Sequence, residues 1–238
     1  MPSPTEPALQ FDSIEDTIQA FENGEFIVVL DSQDRENEGD LIIAAESITA
    51  AQMAFLVRHS SGLICAPVTP EIANKLQLPQ MVIENADPKG TAYTISVDSN
   101  DPSVTTGISA QDRSLACRTL ASPSARPEDL RRPGHIIPLE AKSGGVRERK
   151  GHTEATIDFC RLAGKAPAGV IGELVEEGDV VEGVPEISGN NGMMRRDSCL
   201  KFGRKWGIKV CTIEDLVEYL ERVEGPASIS NSTVNGKH

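Results

Sequence analysis

The chain has 238 residues, 39% hydrophobic but only 4% aromatic, enough for one sizeable core built on Val, Ile, Leu and Ala. A formal net charge of −13 repels nucleic-acid backbones and anionic membranes alike, so an anionic ligand would need a local cationic or metal site. The N-terminus lacks a basic n-region and an apolar h-region, no apolar run reaches membrane-span length, and the five cysteines (65, 117, 160, 199, 211) have neither zinc-knuckle nor disulfide-framework spacing.

These features predict a cytoplasmic protein with no nucleic-acid or membrane partner, whose cysteines are small buried hydrophobes. Residues 1–12 and 224–238 are Pro/Ser/Asn-rich and unpatterned, and they are expected to fray on either side of a single folded domain over 13–223. The sequon Asn231-Ser232-Thr233 lies in that C-terminal tail and reads as accidental without a secretion signal.

In chain order, Ser13 with Asp16 precedes Ile14, Ile18 and Phe21 and predicts a capped helix ending near Gly24. The β-branched runs 26–30 and 41–43 predict two buried strands joined by an acidic loop, too close in sequence for a helical crossover and therefore antiparallel. Thr49 with Gln52, Ser109 with Asp112 and Thr212 with Asp215 announce three more helices. Further strands are expected over 63–68, 92–97, 135–139, 170–174 and 208–212, with irregular, proline-containing stretches at 78–91 and 122–134. The interleaving predicts an α+β fold, a mixed β-sheet covered by helices in a single domain.

The densest chemical signal is the acidic loop DRENEGD at 34–40, where Asp34, Glu36, Glu38 and Asp40 would share one face of an extended segment and need a compensating cation. A solvated acidic turn is the alternative reading, but apolar strands bracket the acids and hold them at the edge of a core. A calcium loop fails because Ala45 stands where the bidentate Glu belongs and the flanks are strands; hard oxygen ligands still favour magnesium or manganese. The second signal, RERKGHTEA at 147–155, sets Arg149 and Thr153 at the apparent start of a helix, an arrangement that can bind phosphate or simply cap the helix. Thr105-Thr106-Gly107-Ile108-Ser109 precedes another helix in the same way, where capping by Ser109 is the simpler explanation.

Of the four histidines, His59 ends a helix and reads as structural, His238 is terminal, and His135 and His152 are each compatible with a structural or a chemical role. Glu173 interrupts the apolar run 170–175, as either an exposed-face acid or a buried acid with a raised pKa.

Taken in order, DRENEGD, SGLIC at 61–65, TTGIS at 105–109, RPGH at 132–135, GHTEA at 151–155 and PAGV at 167–170 resemble the 3,4-dihydroxy-2-butanone 4-phosphate synthase family from near residue 13 to near 223. The acidic loop and GHTEA are the most specific motifs; Ser32-Gln33 depart from the further acids often found ahead of that loop. The resemblance implies a lyase of riboflavin biosynthesis that cuts D-ribulose 5-phosphate into a four-carbon phosphate and formate. It also implies a homodimer with active sites near the subunit interface, and magnesium as cofactor with manganese as a substitute. Carried over position by position, it makes Glu36 and His152 metal ligands, and Glu173, His135 and Asp40 catalytic groups. Arg149 and Thr153 fall to the phosphate, with Arg35, Asp40, Lys150, Gly151, Thr105 and Thr106 as further substrate contacts. Enolisation, dehydration, skeletal migration and loss of C4 need repeated proton transfers, which Glu173, His135 and Asp40 can share if their environments push their pKa values apart. Some relatives are fused to a GTP cyclohydrolase II domain with a cysteine zinc site, for which this chain has neither the length nor the cysteine spacing. The same residue types would also suit a metal-dependent sugar-phosphate isomerase or phosphatase, or a non-catalytic divalent-cation-binding protein.

Overall fold

The structure is a computed structural model that describes residues 9–226. Helix α1 (Ile14–Glu22) begins where the Ser13 hydroxyl accepts the Asp16 amide, and strands β1 (Ile27–Leu30) and β2 (Gly39–Ala44) follow as an antiparallel pair. Helix α2 (Ala50–His59) opens with a full capping box between Thr49 and Gln52. Then come β3 (Cys65–Val68), α3 (Pro70–Lys75), β4 (Val97–Ser99), α4 (Ala110–Ala121) and β5 (Leu130–Glu140). The chain continues through α5 (His152–Leu162), β6 (Gly169–Glu173), a small hairpin β7 (Asp179–Val180) and β8 (Ile187–Ser188), α6 (Arg196–Trp206), β9 (Lys209–Thr212) and α7 (Ile213–Glu224). Ser109 and Thr212 cap α4 and α7 through the amides of Asp112 and Asp215.

The main sheet has the order β4-β5-β3-β6-β2-β1-β9 and is mixed: β1–β9 and β3–β5 are parallel, the remaining pairs antiparallel. Period-two alternation sends Val28, Leu30, Leu41 and Ile43 into one core with Met53, Leu56, Leu120 and Phe202. It sends Ile27, Val29, Ile42 and Ala44 into another with Phe21, Phe159, Leu216 and Leu220. Helices therefore cover both faces, which is why the central strands are continuous apolar runs without polar alternation. All five cysteines are free and buried in these layers.

The structure departs from the expected elements in several places. Of the strand expected over 92–97, Tyr93 and Thr94 form only isolated bridges, Thr94 giving both its amide and its hydroxyl to the Pro138 carbonyl, and Val97 opens the short β4. The expected irregular stretch 122–134 gives way at Leu130 to β5, whose first half pairs with β4. Helices α3 and α6 and the β7–β8 hairpin were not anticipated. Ordered packing begins before residue 13: Leu9 and Phe11 lie against the core, and the Asp12 carboxylate takes the Val210 amide and Lys209. Residues 1–8 and 227–238, with the sequon and His238, lie outside the described residues.

Candidate active site

The end of β1 and the start of β2 are joined by a turn, not by an extended segment, so the four motif acids do not share one face. Asp31 closes β1, and its buried carboxylate accepts the Glu38 amide at 2.9 Å, the Glu36 amide at 3.0 Å and Arg35 Nη1 at 2.9 Å. Asn37 turns the chain with φ 55°, and Arg195 at the start of α6 clamps the carbonyls of Glu36 and Asn37. Asp34 is left exposed, while Glu36, Glu38 and Asp40 turn into a small cavity of about 90 Å³.

Strand register builds the opposite wall. Asp40 on β2 pairs with Glu173 on β6, both with the parity of Ile42 and Ile171, which face α5. Helix α5 points its N-terminus into the same cavity, with His152 and Thr153 as its first two residues and Gly151 as an N-cap without a side-chain bond. Arg149 lines the rim, each of its nitrogens held: Nη1 by Glu154 at 2.6 Å, Nη2 by Thr91 at 3.1 Å and Nε by the Lys89 carbonyl at 3.2 Å. Arg35 also lines it, bonded to both Asp31 and Glu36. Cys65, Tyr93, Leu139 and Ile171 complete the floor.

Electrostatics inside this cavity are strained. Asp40 is 2% exposed, and burial, then the neighbouring Glu173 and Glu36 charges, push its carboxyl well above the usual carboxylate range. Burial also pulls His152 down to about 4, against the opposing pull of Asp31, so the imidazole is neutral at pH 7. Burial raises Asp31 by itself, but His152, the Glu38 amide, Arg35 and the Glu36 amide outweigh it and leave the group lowered. Glu38 is raised, chiefly by burial.

Two buried atoms of this cavity have no hydrogen-bond partner, Asp40 Oδ1 and His152 Nε2. His152 Nδ1 stands 3.6 Å from Asp40 and 3.9 Å from Glu36, too far for hydrogen bonds. Ligand atoms of Asp31, Glu36 and His152 lie within 4.8 Å of one another. Unpaired acceptors and a neutral imidazole around one point fit a hard divalent cation. Asp31 already accepts three donors, so Glu36 and His152 are the residues better able to hold such an ion, with Asp31 behind them.

A profile of the 3,4-dihydroxy-2-butanone 4-phosphate synthase family matches residues 15–219. The chain belongs to that family. The Pyricularia oryzae 3,4-dihydroxy-2-butanone 4-phosphate synthase is 61% identical over 226 residues, covering 95% of this chain and 97% of the relative. The Saccharomyces cerevisiae enzyme is 48% identical over 218 residues, covering 89% and 100%. A crystal structure of a 3,4-dihydroxy-2-butanone 4-phosphate synthase in complex with two magnesium ions superposes with a TM-score of 0.89 at 63% identity, over 91% of this chain and all of that one.

Of the residues that the family resemblance singled out, the cavity gathers Arg35, Glu36, Asp40, Arg149, His152, Thr153 and Glu173. Five others stand outside its lining. Lys150 is exposed and Gly151 caps α5. Thr105 donates its hydroxyl to Asp112 at 2.7 Å, Thr106 is exposed, and His135 pairs instead with Asp98 at 2.8 Å. Sequence reasoning gave no role to Asp31, whose only signal is an acid ending a buried strand, or to Ser61, the first residue of SGLIC, whose hydroxyl reaches Glu173 at 2.6 Å across 112 residues.

Proposed function

We propose that this chain is a magnesium-dependent lyase of riboflavin biosynthesis, converting D-ribulose 5-phosphate to L-3,4-dihydroxy-2-butanone 4-phosphate and formate, with manganese as a substitute metal. The observation that carries the reading is the convergence, in one cavity of a chain of this family, of an oxygen-rich cation site with a guanidinium and a helix N-terminus.

Glu36 and His152 would hold the metal, with Asp31 behind them. Magnesium bound there supplies a Lewis acid that polarises the ketose carbonyl and makes the neighbouring C–H more acidic. The substrate phosphate is assigned to Arg149, the Thr153 hydroxyl and the free amides at the start of α5, with Lys150 and Gly151 at its outer edge. Arg35 offsets the charge of Asp31 and Glu36. Asp40 and Glu173 face each other across two strands, and the upward push on Asp40 lets one carboxyl hold a proton while the other accepts one. Such a pair serves a reaction with several successive proton transfers. Ser61 holds one oxygen of Glu173 and leaves the other free for the substrate.

His135, Thr105 and Thr106 are assigned to the active site of a second copy of the chain, in a homodimer. Two features support this: these residues do not line their own chain's cavity, and the neighbouring loops expose Met81, Val82, Ile83 and Ile108. Among the described residues no helix is long and apolar enough to cross a membrane, and five free cysteines fit a reducing compartment, which we take to be the cytoplasm.

Incubation with ribulose 5-phosphate and magnesium should release formate stoichiometrically, stop on chelation and resume with magnesium or manganese. Release of inorganic phosphate, or of xylulose 5-phosphate without formate, would identify a phosphatase or an isomerase instead; turnover undiminished by exhaustive chelation would remove the metal from the reading.

A further inference from the structure

Glu154, the acid of GHTEA, does not line the cavity, yet it is 1% exposed at the third position of α5. An acid three residues after an N-cap ordinarily returns to the N-cap amide. Here the Gly151 amide goes to the Arg149 carbonyl at 2.8 Å, and the Glu154 carboxylate turns out of its own helix. Oε1 accepts the Lys142 amide at 3.0 Å, just beyond the end of β5, and Oε2 accepts Arg149 Nη1 at 2.6 Å. One oxygen is thus fixed to the backbone, and the other holds a guanidinium at the cavity rim.

The pair is fitted around Gly151. A Cβ there would fall 2.3 Å from Arg149 Nη1 and 2.9 Å from Glu154 Oε2, so the guanidinium lies where any side chain at 151 would push it off. Arg149 also donates Nη2 to the Thr91 hydroxyl and Nε to the Lys89 carbonyl. A guanidinium carries five N–H donors, so these three bonds leave one donor on each terminal nitrogen. A buried ion pair by itself adds little to stability, because desolvation offsets the attraction. What this pair fixes is the orientation of a two-pronged donor at the head of α5.

We propose that Glu154 is a positioning residue, holding Arg149 against the start of α5 so that its two remaining N–H donors meet the substrate phosphate. The proposal rests on the assignment of Arg149 to that phosphate. Glu36, Glu38, Asp40 and Glu173 line the same cavity, and a loosely held guanidinium would pair with one of them instead. Glu154 therefore keeps the cation apart from the acids that the reaction needs. It also accounts for two residues of GHTEA together: the glycine admits the guanidinium, and the glutamate anchors it.

Glu154→Gln separates the two bonds, because its amide oxygen can keep the Lys142 amide while its NH₂ faces Arg149, donor against donor. In the magnesium-loaded full chain it should raise KM for ribulose 5-phosphate by about tenfold or more, with a much smaller fall in kcat, and weaken inhibition by inorganic phosphate by a similar factor. A purely structural acid would lower kcat through loss of active protein and leave KM and phosphate inhibition unchanged, an outcome that overturns the proposal. In an Arg149→Ala background Glu154→Gln should add no further rise in KM; an equal rise there places its action elsewhere and overturns the proposal too. Crystals of the wild type with inorganic phosphate give a reading that needs no variant to fold. Phosphate should lie on Arg149 with the Glu154 contact kept, and a guanidinium that leaves Glu154 to reach phosphate counts against the proposal alone. Phosphate bound away from Arg149, or an unchanged KM in Arg149→Ala, removes the phosphate assignment and the proposal with it.

Discussion

Glu36 and Glu173 line one cavity, yet their neighbours divide them. Glu36 lies with His152 and Asp31, while Glu173 faces Asp40 and is held by Ser61. Glu36→Gln keeps the volume and removes a ligand charge, so raising magnesium should recover part of the lost rate. Glu173→Gln cannot exchange a proton, so it should lose about 100- to 10,000-fold in kcat with no recovery at any magnesium concentration. Magnesium titration of formate release separates the two, and rescue of Glu173→Gln would make that residue a ligand. Asp40 yields a stability prediction of the opposite kind. Its folded pKa is raised, so the folded state binds more protons than the unfolded state above pH 4, and stability falls as pH rises towards and through the folded pKa. Asp40→Asn should therefore stabilise the magnesium-free protein by about 0.5–2 kcal/mol at pH 8 and by less at pH 5 while abolishing turnover, as urea unfolding at the two pH values would read. An equal gain at both would show that the buried charge is not the source. The residues legible in sequence were those inside dense motifs. Asp31 lay outside them, and its bonds form only once the turn after β1 folds back on it; Asp98 and Ser61, the latter inside SGLIC, act through partners 37 and 112 residues away.

At the scale of elements, caps were the most readable feature: Ser13, Thr49, Ser109 and Thr212 each accept the amide three residues on, a local bond that needs no tertiary context. Helix α6 lacks that signal. Arg195 stands at its N-cap without a side-chain cap bond and is engaged with the acidic turn instead. Strand β5 was half missed because Arg131, Arg132 and Pro133 read as loop, and only its pairing with β4 makes them a strand. Helix α6 also sets a steric limit on the active site. A Cβ on Gly39 would stand 2.5 Å from Cys199 Sγ, and the Gly39 carbonyl accepts the Leu174 amide at 2.9 Å, directly beside Asp40 and Glu173. Gly39→Ala should cost about 1–3 kcal/mol through overpacking. Adding Cys199→Ala should restore part of it, with an interaction of at least about 0.5 kcal/mol in a double-mutant cycle followed by urea unfolding. Simple additivity would place the strain elsewhere in β2.

At the scale of the whole molecule, a chain of net charge −13 must attract a sugar phosphate locally, and Arg35, Arg149 and the start of α5 are the positive groups around the cavity. The same scale bears on the role proposed for His135. In one chain the cavity holds Glu173, Asp40 and Arg149, whereas His135 and the Thr105–Thr106 pair sit together on the β4–β5 side of the sheet, outside the cavity lining. If two copies complete each other's sites, inactive variants with defects on opposite sides of the interface should complement. Mixing equal amounts of Glu173→Gln and His135→Gln under exchange conditions gives half heterodimers by chance. In each of these one site carries both defects and the other carries neither. Formate release should therefore rise from the residual rate of the parents to about a quarter of the wild-type rate, with a time course set by subunit exchange. A cavity served by its own chain's His135 would leave every site with one defect, and the mixture would stay at the mean of its parents. The same mixing with Glu173→Gln and Asp40→Asn supplies the control, because both defects lie in one cavity and no heterodimer contains an intact site.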